Sequence, residues 1–177
     1  MKRHPGFVLL ALLSLIAWKP GDHWYAYTAA DNAYSVNFPG KPDEKSQSSS
    51  TKAGQIKYVL VSYSTNAGKR AYLSSSTMYA VSPRNFNVQK GLDGARDGAA
   101  KSTNATVTSE TKIDYKGAPG REFYMTMPNG TKAKERIFIV NKGKGPVLYQ
   151  VLVVDTEGKI AVPETDQFLK SLVIKKT

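Results

Sequence analysis

Nucleophilic and acid–base catalysis both need side chains that can trade a proton near neutral pH, and this chain supplies few of them. Its two histidines, His4 and His23, both lie close to the N-terminus, and it contains no cysteine. A Ser-His-Asp set would have to be built on His23, at an end where nothing predicts a fixed position, so no catalytic residue is expected. Lack of cysteine removes thiolate nucleophiles, thiolate metal sites and disulfides together. Paired carboxylates come next. Asp93 and Asp97 stand one helical turn apart, but Lys90, Arg96 and Lys101 surround them, and Asp97 to Lys101 has the favourable acid-before-base spacing. A solvated, salt-bridged helix face explains them better than a metal pair. Asp155 and Glu157 flank a turn, yet a divalent-cation loop gathers more oxygen ligands than these two offer. Gly143-Lys144-Gly145 lacks the spacing and the hydroxyl residue of a phosphate loop and fits a hairpin tip. Neither a metal nor a cofactor is expected. Asn104-Ala105-Thr106 and Asn129-Gly130-Thr131 match the glycosylation triplet, which is common by chance.

Two constellations point to binding instead. Pro128-Asn129-Gly130-Thr131 is a two-residue hairpin signal. Closed at Asn129-Gly130, it sets Lys132, Lys134 and Arg136 on one strand face, opposite Met127, Met125 and Phe123. A cationic row beside a flexible apolar row suits an amphiphilic or acidic partner, and with Arg121 it forms the candidate contact set. The competing reading is that the long stems snorkel over the edge of the core with their heads in water. The second constellation is Tyr58, Tyr63, Tyr124 and Tyr149, which would line a pocket between sheet and helix if the protein carries a small ligand. Half-buried packing accounts for strand tyrosines equally well.

Charge and address narrow the partner. The formal net charge is +11 over 177 residues, favouring acidic protein faces or anionic membrane-associated assemblies. The basic residues are scattered in ones and twos and no RNA-binding aromatic signature occurs, so no nucleic acid is expected. Lys2 and Arg3 precede an apolar block from Phe7 to Ala17, too short for a comfortable span and placed like a secretory signal. Leu15 stands where a small residue is wanted before a cut at Ala17, so residues 1–18 read as a signal peptide or a short uncleaved anchor. The expected location is periplasmic, lumenal or extracellular, and the expected state is a monomer.

The elements that position these residues follow from periodicity. Gln55 to Ser64, Ile137 to Val140 and Val147 to Val154 are apolar on both faces of an alternating pattern, which predicts a sheet covered on both sides. Lys45 to Lys52, rich in serine, reads as a mobile surface loop. One helix is expected from Ser82-Pro83, with Val88, Gly91, Leu92, Ala95, Gly98, Ala99 and Ser102 on one stripe. Its glycines 91, 94 and 98 suggest close approach to the sheet. A second helix starts at Pro163, with Phe168, Leu169 and Leu172 inward. The fold class is α+β: one six- to seven-stranded, mainly antiparallel sheet with a helix on each face.

Tyr34-Ser35-Val36-Asn37-Phe38-Pro39-Gly40-Lys41-Pro42, the mid-chain helix, the long hairpins and the closing Phe168-Leu169-Lys170-Ser171-Leu172-Val173-Ile174 together resemble the PsbP-like superfamily. That superfamily includes the extrinsic photosystem II subunit, a Ran-binding Mog-type nuclear protein and many exported bacterial proteins. The likeness covers about residues 24 to 175, within a single domain of residues 24–177, and its motifs are architectural. It implies an α/β/α sandwich acting as a non-enzymatic accessory or binding module; it does not imply photosystem binding. Photosynthetic relatives associate metal with histidine and acidic residues, and the scarcity of histidine here departs from that pattern.

Overall fold

Strands that are apolar on both faces need a layer above and a layer below, and the computed structural model, which describes residues 24–51, 54–79 and 81–175, supplies both. Seven strands form the central sheet: β3 (Asp43–Thr51), β4 (Gly54–Thr65), β5 (Arg70–Met78), β6 (Thr106–Tyr115), β7 (Ala118–Thr126), β8 (Lys132–Lys142) and β9 (Gly145–Asp155). Their order is β3-β4-β5-β9-β8-β7-β6, and every neighbouring pair is antiparallel. The long connection between β5 and β6 carries α1 (Val88–Ser102), and α2 (Pro163–Lys170) follows β9.

Alternation assigns the layers. Ile137, Ile139 and Leu148 point to the α1 side, where they pack with Leu92, Phe123 and Met125. Phe138, Tyr149, Val151 and Val153 point the other way. There they meet Phe168 and Leu169 of α2 and a second sheet that the sequence reading did not anticipate. This three-stranded sheet has the order β1-β2-β10, with β1 (Tyr25–Thr28), β2 (Tyr34–Phe38) and β10 (Val173–Ile174). Phe38 lies 5.1 Å from Phe168 ring to ring, and Tyr72 lies 5.2 Å from Phe168, so α2 is clamped between the two sheets. Truncating one such fully buried ring costs about 3–5 kcal/mol. The Phe38-Pro39-Gly40 corner has a packing reason as well: a Cβ on Gly40 would sit 2.6 Å from the Tyr63 ring. One helix on each face of a seven-stranded sheet is the expected arrangement.

Four local expectations are corrected. Lys45 to Lys52 is not a loop through its described length; residues 43–51 pair continuously with β4 as an edge strand. An edge strand has no neighbour on one side, so a polar sequence serves there and carries no apolar alternation to read. The α1 segment does not begin at Ser82, whose side chain makes no capping bond. Pro83–Asn85 forms one isolated 3-10 turn, Phe86 is extended, and Asn87 caps α1 by accepting the Lys90 N–H at 3.0 Å. Of the three α1 glycines only Gly91 is pressed against a neighbour, with a Cβ position 2.5 Å from the Phe86 ring; a Cβ on Gly94 or Gly98 would meet no neighbouring element within 4 Å. Cover on the α1 face is also incomplete, since Leu60, Leu73 and Leu152 are only half-buried. The leader, residues 1–18, and both histidines lie outside the described residues.

Candidate binding site

Turn chemistry decides where the hairpin cations point. Gly130 donates its N–H to the Met127 carbonyl at 3.0 Å, Met127 donates to the Thr131 carbonyl at 2.9 Å, and Gly130 has φ +84°. This is a three-residue loop, a turn followed by a left-handed glycine, rather than the expected two-residue loop. Pro128 is the reason: its fixed φ suits the first central position of such a turn. The extra residue shifts the register by one. Lys132 faces Thr126, Lys134 faces Tyr124 and Arg136 faces Glu122, while Met125 and Phe123 face Ala133 and Glu135. The cationic row therefore lies on the α2 side and the Met/Phe row on the α1 side, so the two are not neighbours.

Three of the four candidate contact residues are engaged within the chain. The Lys134 ammonium lies 2.7 Å from Asp166, 3.1 Å from Glu122 and 4.9 Å from the centre of the Tyr124 ring. Burial opposes its charge, yet hydrogen bonds to Asp166, Tyr124 and Glu122 outweigh burial and raise its pKa above the ordinary lysine value. Arg136 pairs with Glu122 at 2.8 Å. This cluster ties α2 to β7 and β8. Arg121 is on the opposite face, 4% exposed, pairing with Glu110 at 2.7 Å and Asp93 at 3.4 Å and donating to Gln89 at 2.7 Å. It ties α1 to β6 and β7. Lys132 alone of the four is exposed.

Nor do the four tyrosines share a space. Tyr149 is fully buried and packs edge-on to Tyr34 at 5.9 Å; Tyr63 packs on Tyr72 at 6.5 Å; Tyr124 lies beneath Lys134. All three are on the α2 side, whereas Tyr58 alternates with Val59 and lies on the α1 side.

The structure instead opens a cleft of about 330 Å³ at one end of the sheet. Tyr115, Lys116 and Ala118 come from the β6–β7 hairpin, Val140, Asn141, Lys142 and Gly143 from the β8–β9 hairpin, and Ile174 and Lys175 from the C-terminal strand. Its apolar floor is Tyr115, Ala118, Val140 and Ile174, its rim carries three lysines, and no carboxylate lines it. Asp114, the nearest acid in sequence, accepts the Gly117 N–H at 2.8 Å and so holds the hairpin turn. Lys116 and Gly117 both have positive φ, +51° and +88°. A lysine in the left-handed region carries backbone strain that Asn or Gly would relieve. Lys142 leans over the Tyr149 ring at 5.6 Å and donates to the Lys175 carbonyl at 3.5 Å. Among the described residues, Lys116, Lys142 and Lys175 have no carboxylate within 4.0 Å.

At the opposite end of the sheet the turn cations are paired with acids, and Lys132 is the exception. Lys69 and Lys159 converge on Glu157, whose pKa they lower to about 2, and Arg70 pairs with Asp155 at 2.8 Å. Two hairpin signals with lysines at their tips must fall at one end of a meander, and that is the signal for this cleft in the sequence.

No family model and no curated protein matches the chain. Solved structures do. The solution structure of cyanobacterial PsbP (CyanoP) from Synechocystis superposes with a TM-score of 0.57, covering 86% of this chain and 92% of that one at 8% identity. The fold is PsbP-like. A second match, the crystal structure of protein PA94 from Pseudomonas aeruginosa, has a TM-score of 0.41 and 11% identity, covering 88% of this chain and 99% of that one. In the PsbP-like frame of this chain, the cleft is built by two hairpin ends and the last strand. Among the described residues no group of three or more His, Cys, Asp or Glu side chains converges as a metal site would require. No described helix is long and apolar enough to cross a membrane.

Proposed function

We propose that this protein is an exported, non-enzymatic accessory protein that grips the acidic face of a protein or membrane-associated assembly with its lysine-rimmed end. The observation that carries this reading is the contrast between the two ends of the sheet. Turn cations at one end are satisfied by Asp155 and Glu157, while Lys116, Lys142 and Lys175 at the other surround a cleft without a carboxylate. Unpaired cations around a concavity raise the local positive potential and favour an anionic partner. The PsbP-like fold is compatible with an accessory role and says nothing of a particular partner.

The test is a triple reversal, Lys116→Glu, Lys142→Glu and Lys175→Glu, against a control that reverses the exposed Lys90, Lys101 and Lys112. Each protein is used for crosslinked capture from the native envelope fraction, with quantitative mass spectrometry. The expected result is a partner captured by wild type and control and depleted at least tenfold with the cleft variant. Equal capture by all three proteins would contradict the reading.

A further inference from the structure

We infer that the cleft is a site for an amphiphilic anion: a phosphate or carboxylate head joined to a short apolar body. This rests on the reading of the lysine-rimmed end as a binding end and adds the class of group that enters it. A site for bare anions needs only cations and backbone donors. This one has, below its cations, a floor of Tyr115, Ala118, Val140 and Ile174. Ile174 is buried and the other three are half-buried. An apolar floor beneath a charged rim complements a ligand that is apolar at one end and anionic at the other.

The rim is arranged to hold the head. Lys142 is half-buried, with its ammonium drawn across the cleft by the Lys175 carbonyl. That bond, at 3.5 Å, is too long to satisfy the ammonium's three donors. Lys175 enters from the C-terminal strand, where its ammonium donates to Asn32 and its backbone N–H to the Ala33 carbonyl at 3.0 Å. Neither partner is a carboxylate, so no ion pair within the described residues offsets either lysine. Lys116 joins the rim from the two-residue turn between β6 and β7.

Volume sets the scale of the body. At roughly 30 Å³ per water-sized group, a cleft of about 330 Å³ accommodates about eleven such groups. Hexyl phosphate, a phosphate carrying a six-carbon chain, is of that size and serves as the probe. Two natural sources share this chemistry: a free short-chain acyl acid or alkyl phosphate, and the head and upper chain of an acidic lipid at a membrane surface.

The experiment is a calorimetric titration of the full chain with inorganic phosphate, butyl phosphate and hexyl phosphate at fixed ionic strength, repeated with Lys142→Gln. Affinity is expected to rise along the series, hexyl phosphate binding at least tenfold tighter than inorganic phosphate, and Lys142→Gln is expected to weaken hexyl phosphate at least fivefold. Amide chemical-shift changes on Tyr115, Ala118, Val140 and Ile174 should accompany binding, so the site is mapped even if the variant folds poorly. Equal affinity for all three anions, or shifts mapping elsewhere, overturns the inference. A parallel arm uses vesicles of phosphatidylcholine with and without phosphatidylglycerol. Recruitment by the anionic vesicles that free hexyl phosphate displaces assigns the source to the membrane, and hexyl phosphate binding without recruitment assigns it to a free molecule; both support the site. If the titration fails while the triple reversal still loses its captured partner, the docking reading stands and only the amphiphilic ligand is lost.

Discussion

Glu135 shows at the scale of one residue how the interior deals with charge. It lies on β8 between Phe123 and Leu152, 2% exposed, with one carboxyl oxygen accepting the Gln150 amide at 2.9 Å and the other without a hydrogen-bond partner. Burial pushes its pKa from the ordinary 4.5 up to about 7, against the Gln150 bond, which lowers it. The folded chain therefore keeps a proton that the unfolded chain releases near pH 4.5. Between about pH 4.5 and 7 the native state binds more protons, so stability should fall as pH rises through that window, by on the order of 3 kcal/mol in all. Urea midpoints measured from pH 4.5 to 8 should show this slope, and Glu135→Gln, which keeps the acceptor for Gln150, should flatten it; an unchanged slope contradicts the assignment. Arg121 gives the second test at this scale. If it is a strut between α1 and β6–β7, Arg121→Met should lower stability by about 1–3 kcal/mol and leave partner capture unaltered. Loss of capture at full stability would restore it as a contact residue.

At the scale of elements, α1 packs along its length, closely at Gly91 and with open space beside Gly94 and Gly98. Gly94→Ala and Gly98→Ala put a methyl where nothing lies within 4 Å, so each should raise stability by about 1 kcal/mol. Gly91→Ala drives a Cβ to 2.5 Å from the Phe86 ring and 3.0 Å from Ile139, so it should destabilise despite the gain in helix propensity. Thermal unfolding of the three variants separates these signs, and a stabilising Gly91→Ala would show the helix sits further from the sheet. The elements were legible in the sequence where burial imposes a period. β4, β8 and β9 alternate on both faces, and Pro163 marks the start of α2 as expected. They were illegible where burial asks nothing of the side chains, as along the serine-rich edge strand β3. Competing local signals misled in two places. Ser82-Pro83 looks like a cap but starts an isolated turn before the Asn87 cap, and Asn129-Gly130 looks like a two-residue loop until Pro128 takes a turn position and moves the register.

Across the whole molecule the PsbP-like sandwich separates an end whose turn cations are paired with Asp155 and Glu157 from an end whose cleft lysines have no carboxylate partner. The antiparallel sheet and its two flanking layers could be argued from periodicity alone, while the β1-β2-β10 sheet could not, because its short strands pair the start of the domain with its last residues. The cleft was legible only in part: a meander places the hairpin tips with Lys116 and Lys142 at one end, but Lys175 joins them only through β10 of the second sheet. Conversely, the cations that do cluster in sequence, Lys134 and Arg136, are consumed by Glu122 and Asp166. Sequence proximity of like charges thus pointed to the interior struts, and the available charge lies elsewhere. The most direct measurement is lysine footprinting of the full chain in its native envelope fraction, with isolated protein as the reference. The account predicts that Lys116, Lys142 and Lys175 lose reactivity there while Lys90, Lys101 and Lys132 keep theirs. Unchanged reactivity at the three cleft lysines, or protection centred on Lys132, would contradict it.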